Sequence, residues 1–185
     1  MKNLNLYQTT DIDKLATPSE SQELTLDSPA LAFFTDFAST TPQVIEDTTA
    51  AVDVQWMMQK AHVRMKLVVN ADDQFLGVIS SDHLSERRLV QKISEGLKRE
   101  EISVSELMVL KTDLKALDYD EVSRATIREV VETLKDWGEQ HCLVIDQTTH
   151  HIRGIFSASD ISRKLRLPID IQGPPSFYNV FLAKH

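Results

Sequence analysis

The sequence predicts an α+β protein in which a βαββα unit occurs twice, the copies related by a pseudo-twofold axis, behind an N-terminal extension. Two observations carry this. Leu67-Val68-Val69-Asn70 returns as Leu143-Val144-Ile145-Asp146, and Gly77-Val78-Ile79-Ser80 returns as Gly154-Ile155-Phe156-Ser157, at offsets of 76 and 77 positions. A unit repeated once in a short chain is an internal duplication. Each copy also holds only three short strands, too small a sheet to stand alone, so packing the two sheets together buries a face of each. With 185 residues, 42% of them hydrophobic and 26% charged, the chain can build such a core.

The elements follow in order. Residues 1–39 read as an extension, polar at first, with a helix near 29–38. Ser28 is placed to cap it and Pro29 suits a first helical position. Leu31, Phe34 and Phe37, spaced by three, give it an apolar face. The first repeat covers 40–94. A strand around Gln43–Ile45 precedes a helix from Ala50 to Ala61, and strands at Lys66–Asn70 and Phe75–Ile79 form a hairpin about Ala71-Asp72-Asp73. A second helix runs from Ser80 to about Ser94. Residues 95–104 form a charged helical linker, in which Lys98-Arg99-Glu100-Glu101 reads as a solvated face.

The second repeat covers 105–167. A strand at Leu114–Leu117 leads through Asp118-Tyr119-Asp120 to a helix from Ala125 to Trp137, which Gly138 ends. Strands His141–Asp146 and Ile152–Phe156 make the second hairpin, and Ser157 to Leu165 is helical up to a stop at Pro168. Trp56 and Trp137, each on the first helix of a unit, read as packing residues, a dimer face being one place for them. The tail 168–185 carries Phe177, Tyr178 and Phe181 and is expected to dock on the body or on a second subunit.

Charge and cysteine usage narrow the function classes. The net charge of −8 and a pI near 5.2 argue against nucleic acid as a partner, which needs clustered positive potential. A single cysteine, Cys142, permits no intramolecular disulfide, which suits a cytoplasmic protein. The first ten residues have one Lys and no apolar core, unlike a signal peptide. No stretch approaches the ~18 apolar residues of a membrane span. Gly-x-Ser-x-Gly, phosphate-loop and Gly-x-Gly-x-x-Gly patterns are all missing, so the chain does not read as an enzyme. His141, His150 and His151 invite a metal reading, but adjacent residues in an extended segment face opposite ways and no metal site is expected.

The most informative stretch is Gly154-Ile155-Phe156-Ser157-Ala158-Ser159-Asp160-Ile161. A strand ends, a helix begins, Ser157 stands at the N-cap and Asp160 lies in the first turn. Free N–H groups and a partial positive charge suit that turn to phosphate. A serine hydroxyl can donate to a phosphate oxygen, and an aspartate can accept from both hydroxyls of a ribose. Ser-x-x-Asp is also close to a capping box, which would serve the helix with no ligand at all.

With the duplicated units, the paired Gly-x-x-Ser turns and Met108 ahead of the second unit, residues 40–167 resemble a tandem CBS-domain pair of the stand-alone bacterial type (a Bateman module). The resemblance implies a regulatory module that binds an adenosine compound (AMP, ADP, ATP or S-adenosylmethionine) between the repeats, forms a homodimer and signals to a separate effector protein. It gives Ser157 the phosphate and Asp160 the ribose, with Ser159 beside them and Ala116, His141 and Cys142 placed towards the base. In the first repeat, Gly77-Val78-Ile79-Ser80-Ser81-Asp82-His83-Leu84 sets His83 where the pattern has Asp. Asp82 comes one residue early, about 100° away on a helix. The site at Ser80 and His83 is therefore expected to be degenerate or altered in specificity. The alternative reading of the whole chain is a ligand-free structural or protein-interaction module.

Overall fold

The computed structural model describes residues 24–171, together with Gln8. Among the described residues, eight strands form two four-stranded sheets. Strands β1 (Thr35–Asp36), β6 (Ala116–Asp118), β7 (His141–Asp146) and β8 (His151–Ser157) make one, in the order β1-β8-β7-β6. Strands β2 (Val44–Glu46), β3 (Met65–Val69), β4 (Phe75–Ser80) and β5 (Val109–Leu110) make the other, in the order β2-β3-β4-β5. In each repeat the first strand pairs in parallel with the second, which forms an antiparallel hairpin with the third. The duplication is thus a duplication of register: Val44 faces Leu67 as Ala116 faces Leu143.

Helices α1 (Ala51–Ala61), α2 (Glu86–Ser94), α3 (Tyr119–Val122), α4 (Ile127–Trp137) and α5 (Ala158–Leu165) complete the units. Their apolar faces supply two cores. Ala51, Val54 and Met58 of α1 pack with Val68, Ile79 and Leu89, all buried. Val130, Val131 and Leu134 of α4 pack with Val144, Phe156 and Ile161. A third cluster joins the sheets, with Leu67, Val78 and Leu143 buried among Ala116, Met65 and Ile155. The helix starting at Thr126 owes its beginning to a capping box, the Thr126 N–H donating to Glu129 Oε2 at 2.7 Å. It ends at Gly138, whose φ of 69° lies in the left-handed region.

Each repeat's outer strand comes from the segment ahead of the other repeat. β1 pairs with β8, and β5 pairs with β4. The same exchange recurs at the helix N-termini. Ser28 O accepts from Ile127 N at 3.0 Å, and Ile102 O accepts from Ala51 N at 2.8 Å. This explains both glycines of the repeated motif. Gly77 pairs with Leu110 and Gly154 with Asp36, and a Cβ on either would run into the crossing strand's backbone.

Two expectations are corrected here. The helix near 29–38 is a 3₁₀ turn, Ala30–Phe33, followed by β1. Its backbone groups are spent on the second repeat (Ala30 N donates to Ala125 O, Phe37 N to Arg153 O), so no i→i−4 ladder can form. Phe33 is buried while Leu31 is exposed, and Phe34 packs on Phe156 with ring centroids 5.3 Å apart. The linker 95–104 has no α-helix: it holds a 3₁₀ turn at Arg99–Glu101 and the start of another, Val104–Glu106. Ile102 and Val104 are fully buried in the first core, so this end of the linker is structural.

The tryptophans are also not core residues. Trp56 is 61% exposed and Trp137 40% exposed, each with a lysine ammonium over its ring, from Lys60 and Lys115. Among the described residues no helix is long and apolar enough to cross a membrane. The aromatic tail lies outside the described residues, although Ile169 and Ile171 already pack against the second core.

Candidate functional site

Two clefts open between the repeats, related by the same pseudo-twofold. One, of about 750 Å³, is lined by Ser157, Ser159 and Asp160 at the start of α5, by Thr41-Pro42-Gln43 ahead of β2, and by Arg64, Gln140 and His141. The other, of about 330 Å³, is lined by Ser80–His83, by Asp113-Leu114-Lys115 ahead of β6, and again by Arg64, Gln140 and His141. Both volumes fall in the ~300–1,000 Å³ range of small-molecule sites.

In the larger cleft α5 starts directly after β8, so its first turn faces the opening. The capping expectation is corrected: no side chain caps α5. Ser157 Oγ instead lies 2.9 Å from Ser159 Oγ, and Asp160 Oδ1 is 3.0 Å from Arg163 Nη1 on the exposed face of the helix. The hydroxyls and the carboxylate are therefore not spent on capping the helix's own N–H groups, and they line the cleft.

The smaller cleft is built differently. Its helix does not begin at Ser80. Ser80–Leu84 is a turn, and α2 starts at Glu86, so no helix N-terminus faces this cleft. His83 folds back on the turn, its Nδ1 accepting from the Ser80 N–H at 3.2 Å and lying 3.1 Å from Ser80 Oγ. That leaves the ring proton on Nε2. Burial, reinforced by Arg88, lowers the pKa of His83, in keeping with a neutral acceptor.

The residues placed towards the base do not stay together. His141 lines both clefts, whereas Cys142 lines only the smaller one. Ala116 is on neither wall, since it packs between the sheets. The reason is that α5 faces across the pseudo-twofold to the first repeat's leading strand, so the segment ahead of β2 bounds the Ser157 cleft. Thr41, Gln43 and Arg64 were missed. The strand register, which equates Gln43 with Lys115, is the signal that pairs them, but it belongs to the folded sheet.

Arg153 is held within the fold. Its guanidinium binds Asp36 through two hydrogen bonds of 2.8 Å and lies over Tyr119, fastening β1 to β8. The same pairing holds the Asp36 carboxyl below its ordinary range. Lys164 donates to Ala32 O at 3.0 Å and is likewise structural.

Cys142 is 4% exposed, its Sγ donates to Leu143 O at 3.4 Å, and burial pushes its thiol up to about 11. The thiolate is the nucleophile, so a neutral-pH thiol reagent should label folded protein very slowly, and rapidly only after denaturant is added. Timed labelling followed by mass spectrometry checks this.

No protein-family model matches the sequence, and no curated protein matches it. Solved structures do. An uncharacterized conserved protein from Pyrococcus horikoshii superposes with a TM-score of 0.57 at 18% identity, over 80% of this chain and 98% of that one. A CBS domain protein from Streptococcus pneumoniae TIGR4 gives 0.53 at 21% identity, over 75% and 82%. CBSX2, solved in complex with AMP, gives 0.53 at 16% identity, over 74% and 94%.

Proposed function

The chain has the fold of a tandem CBS-domain pair, and we propose that it is a cytoplasmic regulatory module which binds an adenosine-containing nucleotide in the Ser157 cleft. The observation that carries this reading is the convergence of Ser157, Ser159 and Asp160 on a cleft between the repeats, at a helix start that no side chain caps. In it, phosphate meets the first-turn N–H groups and the Ser157 hydroxyl, and the ribose hydroxyls donate to Asp160. Arg64 and Arg163 supply positive charge at the mouth. The complex of CBSX2 with AMP supports an adenosine ligand for this architecture. The module acts by altering how the repeats pack and not by catalysis, its output passing to an effector protein. We read it as a homodimer, in which the exposed apolar surface of Trp56, Val90 and Ile93 would be covered.

Calorimetric titration of nucleotide-stripped protein with AMP, ADP, ATP and S-adenosylmethionine tests the proposal. One of them should bind, and Asp160→Ala should weaken it at least about tenfold by removing charge-assisted hydrogen bonds. The same substitution breaks only an exposed pair with Arg163, so stability should change by less than ~1 kcal/mol. Folded protein that gives no heat with any of the four would favour the ligand-free interaction module. The internal pairing of Ser157 with Ser159 would then be its resting arrangement.

A further inference from the structure

The Ser157 cleft has a wall that neither repeat supplies. Helix α5 ends at Leu165, its cap Arg166 has a left-handed φ of 53°, and Pro168 keeps the helix from resuming. The Ser162 hydroxyl donates to Leu167 O at 2.6 Å and fixes the turn. The chain then comes back to the cleft, where Ile169, Asp170 and Ile171 form part of the lining. Ile169 and Ile171 pack against the second core, and Gln140 Nε2 donates to Ile171 O at 3.1 Å. Asp170, between the two, is exposed. It is thus held at the cleft by an anchored residue on each side.

We propose that Asp170 sets the charge of the ligand: the Ser157 cleft takes an adenosine compound of low charge, AMP or S-adenosylmethionine, in preference to ATP. The proposal rests on the nucleotide reading of that cleft.

The charge balance of the lining carries it. Two guanidiniums, Arg64 and Arg163, stand against two carboxylates, Asp160 and Asp170. Arg163 is already matched by Asp160 at 3.0 Å. Asp170 offsets the charge of Arg64, so the cleft holds no surplus of cations for a polyphosphate. A single phosphate is served without such a surplus, by the N–H groups that open α5 and by the Ser157 hydroxyl. Further phosphates would share the cleft with a second carboxylate whose place is fixed by packing. Replacing Asp170 by a neutral residue leaves Arg64 in excess and opens the cleft to higher charge.

The test is calorimetric titration with AMP and with ATP free of divalent metal. A pH of about 8, above the ordinary histidine range, leaves the histidines of the lining out of the balance. Wild-type protein should bind AMP more tightly than ATP. Asp170→Asn should tighten AMP about threefold and ATP about tenfold, since Coulomb energy scales with ligand charge and metal-free ATP carries about twice the charge of AMP. Asp170→Glu keeps the charge and should keep the wild-type ratio. Glu132→Gln, which removes an exposed charge that lines neither cleft, should keep it as well. An unchanged ratio in Asp170→Asn, the same shift in Glu132→Gln, or a wild-type preference for ATP overturns the proposal. If neither nucleotide binds, the nucleotide reading fails first. Asp170 is then judged with inorganic triphosphate, followed through the amide signals of Ser159 and Asp160 by NMR. Asp170→Asn should bind it about tenfold more tightly than wild type, and equal responses of the two proteins overturn the role of Asp170.

Discussion

Replacing Phe156 by alanine should destabilise the protein by about 3–5 kcal/mol. The ring is fully buried, in the last strand turn before the helix that carries Ser157 and Asp160. It packs against Phe34, 5.3 Å away between centroids, which in turn lies 6.1 Å from Tyr119. Truncation loses the transfer energy of the ring and leaves a void between the β1 segment and the second core. Neither side can close over it, because β1 is fastened by Arg153 and Asp36. Urea denaturation should show the midpoint falling with little change in slope. A loss below ~1.5 kcal/mol would mean that the N-terminal segment is not seated on Phe156. Phe156→Leu keeps most of the volume and should recover the larger part of the loss.

A comparable effect is expected from Gly77→Val, for a different reason. A side chain there meets backbone and not a movable side chain: the built Cβ lies 3.0 Å from the Val109 carbonyl carbon and 3.1 Å from Leu110 Cα, and closer still to the Val109 oxygen. No rotamer relieves such a contact, so β5 must leave the sheet. The expected cost is ~3 kcal/mol or more, above the usual range for overpacking because an edge strand is lost with the space. Val109 lines the Ser80 cleft, so that cleft should deform while the Ser157 cleft keeps its shape. Hydrogen exchange resolves the two outcomes. Protection should vanish at Leu110 and its partners and persist at β7 and β8. Uniform protection would show that the sheet tolerates the side chain.

How far the sequence carries the structure can be judged at particular residues. The hairpins were legible because Leu67–Asn70 and Leu143–Asp146 are apolar runs bounded by turn residues, a signal contained in the local chain. Gly138 was legible for the same reason. The strand exchange was not. β1 and β5 are two residues each, which leaves no periodicity to read, and the spacing of Leu31, Phe34 and Phe37 fits a helix equally well. What decides between the two is the set of carbonyls on the second repeat awaiting partners, a tertiary fact.

The candidate site divides in the same way. Ser157, Ser159 and Asp160 lie within four residues, so a motif brings them together. Ala116 is placed towards the base by its position ahead of the second unit alone, whereas the pseudo-twofold sets each helix start against the other repeat. Arg64 sits in a short connection with no pattern around it. His83 was expected to mark an altered site, but its folding back onto the Ser80 N–H depends on α2 starting late, at Glu86.

The exchange of outer strands has a consequence for how the chain is made. The pair that locks β1 in place joins Arg153 to Asp36, 117 positions apart. On the ribosome the segment bearing Phe33 and Phe34 emerges early, and its docking edge is among the last parts of the second repeat to be synthesised. The first repeat, by contrast, waits only for Val109 and Leu110. The second sheet thus completes after the first and pays a larger loop-closure entropy to do so. Until then two phenylalanines and an open strand edge are left uncovered, a hazard that grows with the time the nascent chain spends between the two halves.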